Sequence, residues 1–442
     1  MAYPFARKTG FRDALMLCLV LAAFAAAFYK AARQPAPAAF QMPIVQPPGA
    51  AAQTSNTAPE AHSYFVSTQH NIHTHAASLV ELGDGRIRAF WFAGSREGAP
   101  DVEIRSAVFD PTSSRWGAEH SIANRLETQR GLLRYVKKLG NPVALRAADG
   151  TLWLFYVTVS LGGWAGSSIT AIASKDDGAT WSPARRLVTS PFINISTLVK
   201  SAPFFYSDGS FGLPVYHEFI GKFGELLRLS ASGEVIDKQR LSSGKTTLQP
   251  VMLIQNPQQA TVLMRYSGPG PRRVVTTSTG DAGQHWSTPA KTALANPDAA
   301  LSGIVLPGGR ILLALNDTEE ARNSLSLAVS GDGGATWKTI LQLEDQRAAN
   351  TDPERYKQLA IQTAKATDNR IGDAAPHAES ARRNKCKEQS CAFEFSYPYL
   401  IQARNGDFHL VYTWNRSYIK HVRFTRAWLD QRMELATDAK LH

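Results

Sequence analysis

A tyrosine, carboxylates, histidines and arginines recur in this chain where apolar, strand-like runs begin or end. Tyr397 lies in Glu394-Phe395-Ser396-Tyr397-Pro398, Glu218 follows His217, and Arg265 closes the run Thr261-Val262-Leu263-Met264. Arg96 and Asp101 share one polar segment, His75 and Asn141 open apolar runs, and Arg322 and Arg416 lie beyond others. A guanidinium grips a carboxylate through two parallel N–H bonds, and carboxyl groups in unlike surroundings do acid–base work. Converging on one pocket, such a set suits a carbohydrate or another acidic substrate. No His/Cys spacing resembles a zinc site, so no metal and no cofactor is expected.

One phrase, written three times, announces the elements that must gather these residues. It reads Ser174-Lys175-Asp176-Asp177-Gly178-Ala179-Thr180-Trp181, Thr279-Gly280-Asp281-Ala282-Gly283-Gln284-His285-Trp286 and Ser330-Gly331-Asp332-Gly333-Gly334-Ala335-Thr336-Trp337. The hydroxyl and Asp side chains can bond backbone N–H groups across a tight turn, the Gly takes φ > 0, and the Trp packs beneath. Trp181, Trp286 and Trp337 are 105 and 51 positions apart, so the period is about fifty residues. A plain turn at Ser232-Gly233 fills the skipped position, and a degenerate copy ends at Trp116. Interleaved turns at Asp84-Gly85, Asp149-Gly150, Asp208-Gly209, Asn256-Pro257, Gly308-Gly309 and Asn405-Gly406 complete two hairpins per unit.

Six such units predict an all-β, six-bladed β-propeller over residues 62–430, with the segment from His62 to Thr68 adding a strand to the last blade. Strands A to D of a blade alternate in direction. The A–B and C–D turns therefore share one face, and the B–C and D–A connections share the other. That second face is expected to ring the channel mouth with Glu97, Lys200, Gln249, Asp298 and Glu394 besides the residues above. The aspartates Asp176, Asp281 and Asp332 fall on the opposite, turn-lined face and read as structural.

The repeated phrase is the Asp-box, and over roughly residues 62–425 the chain resembles the sialidase (neuraminidase) superfamily of BNR/Asp-box propellers. Phe92-Ala93-Gly94-Ser95-Arg96-Glu97-Gly98-Ala99-Pro100-Asp101-Val102 and Tyr412-Thr413-Trp414-Asn415-Arg416 are similar to its sialidase-like branch. The resemblance implies a retaining exo-glycosidase for an acidic sugar. Asp101 would be the acid/base, Tyr397 the nucleophile, and Glu218 the base that activates it. Arg265 and Arg322 would be two of three arginines clamping the substrate carboxylate, with Arg96, Asn141 and Arg416 as further substrate contacts. The third arginine is expected where the chain reads Asn71-Ile72-His73-Thr74-His75. That departure keeps two alternatives open: a polysaccharide lyase acting on a uronic acid with His75 or Tyr397 as base, and a glycan-binding propeller that does not cleave.

An apolar run from Ala14 to Tyr29, between Arg7, Lys8, Arg12 and Lys30, Arg33, reads as an uncleaved membrane anchor, with a cleaved signal peptide as the alternative. Basic residues before it favour a cytoplasmic N-terminus and an exported remainder. Residues 34–61 read as an Ala/Pro-rich linker and 431–442 as a tail. The net charge of +11 carries no nucleic-acid motif and fits an acidic glycan partner, a negatively charged cell surface or a merely soluble basic surface equally well. An insertion over 345–393, helical around Pro353 to Ala366, is expected on the mouth face as a lid or as a rim packing element. In an exported chain its Cys386 and Cys391 favour a local disulfide.

Overall fold

The second strands of the repeats explain the architecture. Leu152–Val159, Phe211–His217, Ile311–Leu315 and Phe408–Trp414 are buried along their whole length. A strand covered on both faces reads as a continuous apolar run, and here the neighbouring blades supply the covers. The computed structural model describes residues 10–32, 35–42, 58–190, 194–347, 352–369, 373–387 and 390–438. Arg7, Lys8, Arg33 and linker residues 43–57 lie outside them.

Six antiparallel sheets radiate around one axis, and their innermost strands are His73–Glu81, Lys138–Arg146, Leu198–Val199, Thr247–Ile254, Ser302–Val305 and Phe395–Gln402. Blade 6 is completed by Ala61–Phe65, which pairs antiparallel with Tyr418–Phe424 in the register Ala61↔Phe424 to Phe65↔Lys420. The ring is thus closed by the start of the propeller, as its sequence predicts.

Every C–D turn of the repeated phrase is stapled in the same way. Ser174 Oγ accepts the Gly178 N–H at 2.7 Å, and Asp176 accepts the Thr180 N–H at 2.8 Å and its hydroxyl at 2.6 Å. Thr279 and Asp281 hold Gly283 and His285 likewise, and Ser330 and Asp332 hold Gly334 and Thr336. Gly178 has φ 92°, a backbone conformation that strains any residue with a Cβ, so the turn favours glycine. The Thr180 hydroxyl, then its N–H, holds the Asp176 carboxylate well below its usual pKa.

The insertion is docked rather than suspended. Helix Pro353–Lys365, capped by Asp352, and helix Ala375–Lys385 bury Tyr356, Ala360, Ala364, Ala378 and Ala381 against blades 5 and 6. Between them, Asp368 accepts the Ser63 N–H at 2.6 Å and Asn369 accepts that of Phe65. The insertion therefore seals the exposed edge of the closing strand. Cys386 and Cys391 are disulfide-bonded in the two-stranded hairpin that follows. Two other segments differ from the sequence reading. Residues 35–42 lie against blades 3 and 4 instead of running free, and Arg426–Asp438 is a helix where a tail was expected beyond 430.

Candidate active site

At or just before its inner strand each blade turns a residue into the left-handed region: Ala76, Asn141, Ser196, Gln249, Asp298 and Tyr397, with φ between 38° and 57°. In blades 1, 2, 4 and 6 the register slips there, between His75 and Ser78, Gly140 and Val143, Leu248 and Val251, and Ser396 and Tyr399. These are β-bulges, which re-aim a side chain and interrupt the ladder. Three of the turned residues precede a proline (Pro142, Pro250, Pro398), whose missing N–H is harmless where the ladder is already broken. A side chain on a non-glycine residue held at φ > 0 costs about 1–2 kcal/mol. The same device, repeated around the ring, presents Asn141, Gln249, Asp298 and Tyr397 to one another.

Tyr397 sits at the centre of what they build. Its hydroxyl accepts the Gln249 side-chain N–H at 3.1 Å, and the Gln249 carbonyl accepts Arg265 Nη1 at 3.2 Å. Arg265 Nε in turn pairs with Asp298. Burial alone would lower the Arg265 pKa, but Tyr397 and Asp298 outweigh it and raise it, so the guanidinium is locked in its charged form. Beneath Tyr397 lie the His75 ring at 4.2 Å and the Lys200 ammonium at 5.5 Å from the ring centre. Lys200 is buried, donates to the Pro398 carbonyl at 3.1 Å, and has its pKa pulled down to about 7 by that burial.

A second cluster adjoins the first. Glu394 accepts Arg416 Nε at 2.7 Å, Lys385 Nζ at 2.6 Å and the Ser396 hydroxyl at 2.8 Å, with Arg322 Nη1 3.6 Å away. Burial would raise the Glu394 pKa, yet Arg416, Lys385 and Arg322 together hold it far below the ordinary value. Arg416 Nη1 reaches Glu97 at 2.8 Å, and Arg322 Nη2 donates to the Asp298 carbonyl at 2.6 Å. The backbone carbonyl of Arg416 accepts the Thr74 N–H at 2.9 Å. Blade 6 therefore delivers an arginine beside His73 and His75, in the sector of the ring where the sequence lacks one.

The expected residues divide into two groups. Tyr397, His75, Arg265, Arg322, Arg416 and Asn141 are brought together, the last by its 3.1 Å bond to the Tyr216 hydroxyl. Glu218 borders the same group. Its N–H is held by Ser196 Oγ at 2.8 Å, while its carboxylate makes no hydrogen bond among the described residues. Burial raises its pKa against the opposing pull of Arg265 and Lys222. His75 shares Nδ1 with the Thr413 hydroxyl at 2.9 Å, and burial, with Arg416 next, pushes its pKa down, so it is a neutral ring packed on Tyr397 and Phe92. Asp101 and Arg96 stay outside. Asp101 is exposed and accepts the Ser95 N–H and hydroxyl at 2.9 Å, and Arg96 is exposed on the same loop. Tyr216 is the member that sequence reasoning missed. Gln249 Nε2 lies 3.1 Å from the Tyr397 oxygen and 3.5 Å from that of Tyr216, so one amide spans two phenols.

Residues 85–410 match the profile of the BNR repeat-like domain. The chain belongs to the BNR repeat-like family. This BNR repeat-like protein shares its fold with solved sialidase-like propellers. A Hadza microbial sialidase superposes with a TM-score of 0.60 at 15% identity, over 82% of this chain and 68% of that one. The intramolecular trans-sialidase from Ruminococcus gnavus superposes with a TM-score of 0.55 at 13% identity, over 83% and 97%. A protein of unknown function from Dyadobacter fermentans gives 0.55 at 12% identity, over 82% and 98%. No curated protein matches the chain. At these identities the likeness is one of fold.

Proposed function

We propose that this BNR repeat-like protein is a retaining exo-glycosidase that removes an acidic sugar from a glycan outside the cytoplasm. The observation that carries the reading is the Tyr397 hydroxyl bonded to Gln249, which in turn binds Arg265, with Arg322 and Arg416 gathered next to it on Glu394, two residues before Ser396 and three before Tyr397. Three guanidiniums suit a carboxylate on the sugar, and a tyrosine attacks beside that carboxylate without the repulsion an Asp or Glu nucleophile would meet.

In this mechanism the Tyr397 oxygen bonds to the anomeric carbon as the glycosidic C–O bond breaks. Glu218 takes the phenolic proton, and Asp101 gives a proton to the departing oxygen. Water then adds to the same carbon with Asp101 as base, the tyrosyl–sugar bond breaks, and Glu218 returns its proton to Tyr397. Gln249 holds the hydroxyl in the free protein; the mechanism requires the exposed loop that carries Asp101 to close over bound substrate and the Glu218 contact to form with it. The apolar helix at Phe11–Ala32 fits an export signal or anchor, and we assign it as the anchor. The test is product analysis of the full-length protein in detergent with acidic oligosaccharides. The reading expects a released acidic sugar with retained anomeric configuration. An unsaturated, ultraviolet-absorbing uronate would establish the lyase alternative, and binding without turnover would establish a glycan-binding role.

A further inference from the structure

The apolar helix Phe11–Ala32 and the propeller are joined more tightly than an Ala/Pro-rich linker implies. Phe11, Leu15, Met16, Leu17, Leu19, Leu21, Phe24 and Phe28 are all exposed, so the helix is apolar around its circumference and unburied by the propeller. At 22 residues it spans roughly 33 Å, enough to cross a bilayer. Pro35 follows only three residues after its end.

From Pro35 the chain is fixed to the propeller. The Phe40 N–H donates to the Pro257 carbonyl at 2.8 Å, Gln41 N–H to the Phe205 carbonyl at 2.9 Å, and Ser207 N–H to the Ala39 carbonyl at 2.8 Å. Arg228 Nη1 donates to the Ala36 carbonyl at 3.2 Å, and Nη2 to that of Pro35. Phe40 is 1% exposed, packed between Phe204 and Tyr206. Pro257 and Ser207 belong to A–B turns, and Gly283, which Phe40 approaches, to an Asp-box. All three lie on the turn face. Three Cα steps from Ala32 to Pro35 span at most about 11 Å.

We propose that this segment fixes the orientation of the propeller on the membrane: the Asp-box face of blades 3 and 4 is held against the lipid surface, and the channel mouth points away from it. The proposal rests on the helix remaining as an anchor and is independent of the reaction catalysed. Inner strands of about eight residues put the mouth roughly 25 Å farther out than the turns. The site thus addresses glycans borne by polymers beyond the bilayer rather than headgroups within it. Phe40 and its backbone bonds act as a clamp that prevents the propeller from tumbling on a free tether.

The experiment uses the full-length chain with Cys18→Ser, reconstituted in phosphatidylcholine–phosphatidylglycerol vesicles bearing a headgroup acceptor dye. A donor is attached at Ala231→Cys on the turn face or at Leu161→Cys in the B–C connection on the mouth face. Energy transfer should be about twofold higher from Ala231→Cys, given the roughly 25 Å between the faces. Adding Phe40→Asp should shrink that difference while circular dichroism and carbonate-resistant membrane retention stay unchanged. Equal transfer from the two sites, or greater transfer from Leu161→Cys, overturns the orientation. A difference that survives Phe40→Asp overturns the clamp, and release of the chain by carbonate overturns the anchor on which both depend.

Discussion

The two ends of the propeller use the same residue types to opposite effect. At the turn face, Asp176 is bonded four positions along the chain, to Thr180, and is exposed. At the mouth, Glu394 is buried and gathers Arg416, Lys385 and Arg322, while Arg416 reaches Glu97 across 319 positions of sequence. A carboxylate satisfied by its own turn stabilises that turn and has nothing left for a substrate. One shared among three partly buried cations from separate elements fixes guanidiniums in place and sets the field around Tyr397. Partners and burial, rather than residue type, separate scaffold from site.

That contrast can be broken by substitution, and the largest effect is expected at its centre. Tyr397→Phe should lower kcat at least about 10³-fold with an unchanged melting temperature, read by steady-state kinetics and thermal melts. Arg416→Ala should lower kcat/KM by about 10²-fold and destabilise the fold by about 3 kcal/mol, because Glu394 is left buried with fewer partners. Gln249→Ala should cost about tenfold in kcat, the scale of one positioning hydrogen bond, with little change in KM. Asp176→Ala should lower the melting temperature and leave kcat/KM unchanged. A catalytic loss from Asp176→Ala, or none from Arg416→Ala, would erase the distinction between the faces.

Titration sharpens it further. Lys200 has a folded pKa of about 7 against an ordinary 10.5, so between those values the unfolded chain binds a proton that the folded one lacks. Its contribution to stability therefore rises with pH across that window. Lys200→Met should raise the melting temperature most below pH 7, with the gain fading toward pH 10.5. The raised Glu218 pKa should shift the acid limb of kcat/KM above the ordinary glutamate range, since the base works ionised, and Glu218→Gln should remove that limb.

Much of the fold was legible because its turns are local chemistry: three hydroxyl–Asp–Gly–Trp phrases and six two-residue hairpin turns number the blades. Helix Arg125–Leu132 escaped notice because only Thr128 is buried on it, so no apolar period marks it. The docking of Phe40 escaped because Ala/Pro composition signals a tether, and a single aromatic decided otherwise. At the site, Tyr397 and the arginines were legible as residue types. Their pairing was not, since it depends on left-handed bulges that no propensity favours for Tyr, Gln or Asn–Pro sequences in a strand. The polar–Pro pairs Asn141-Pro142, Gln249-Pro250 and Tyr397-Pro398, each early in an inner strand, are the signal that marks those bulges. Arg416 is a separate case: it comes from blade 6 to lie beside His73 and His75 of blade 1, a neighbourhood in space that spacing along the chain does not reveal.

In the proposed reaction Tyr397 forms a covalent bond to an acidic sugar within the arginine cluster. A fluorinated acidic-sugar inactivator that slows breakdown of the glycosyl–enzyme, followed by proteolysis and peptide mass spectrometry, tests it directly. One adduct is expected on the peptide containing Tyr397, absent from Tyr397→Phe. Turnover of acidic glycans with no adduct, or with the adduct on another residue, would contradict it.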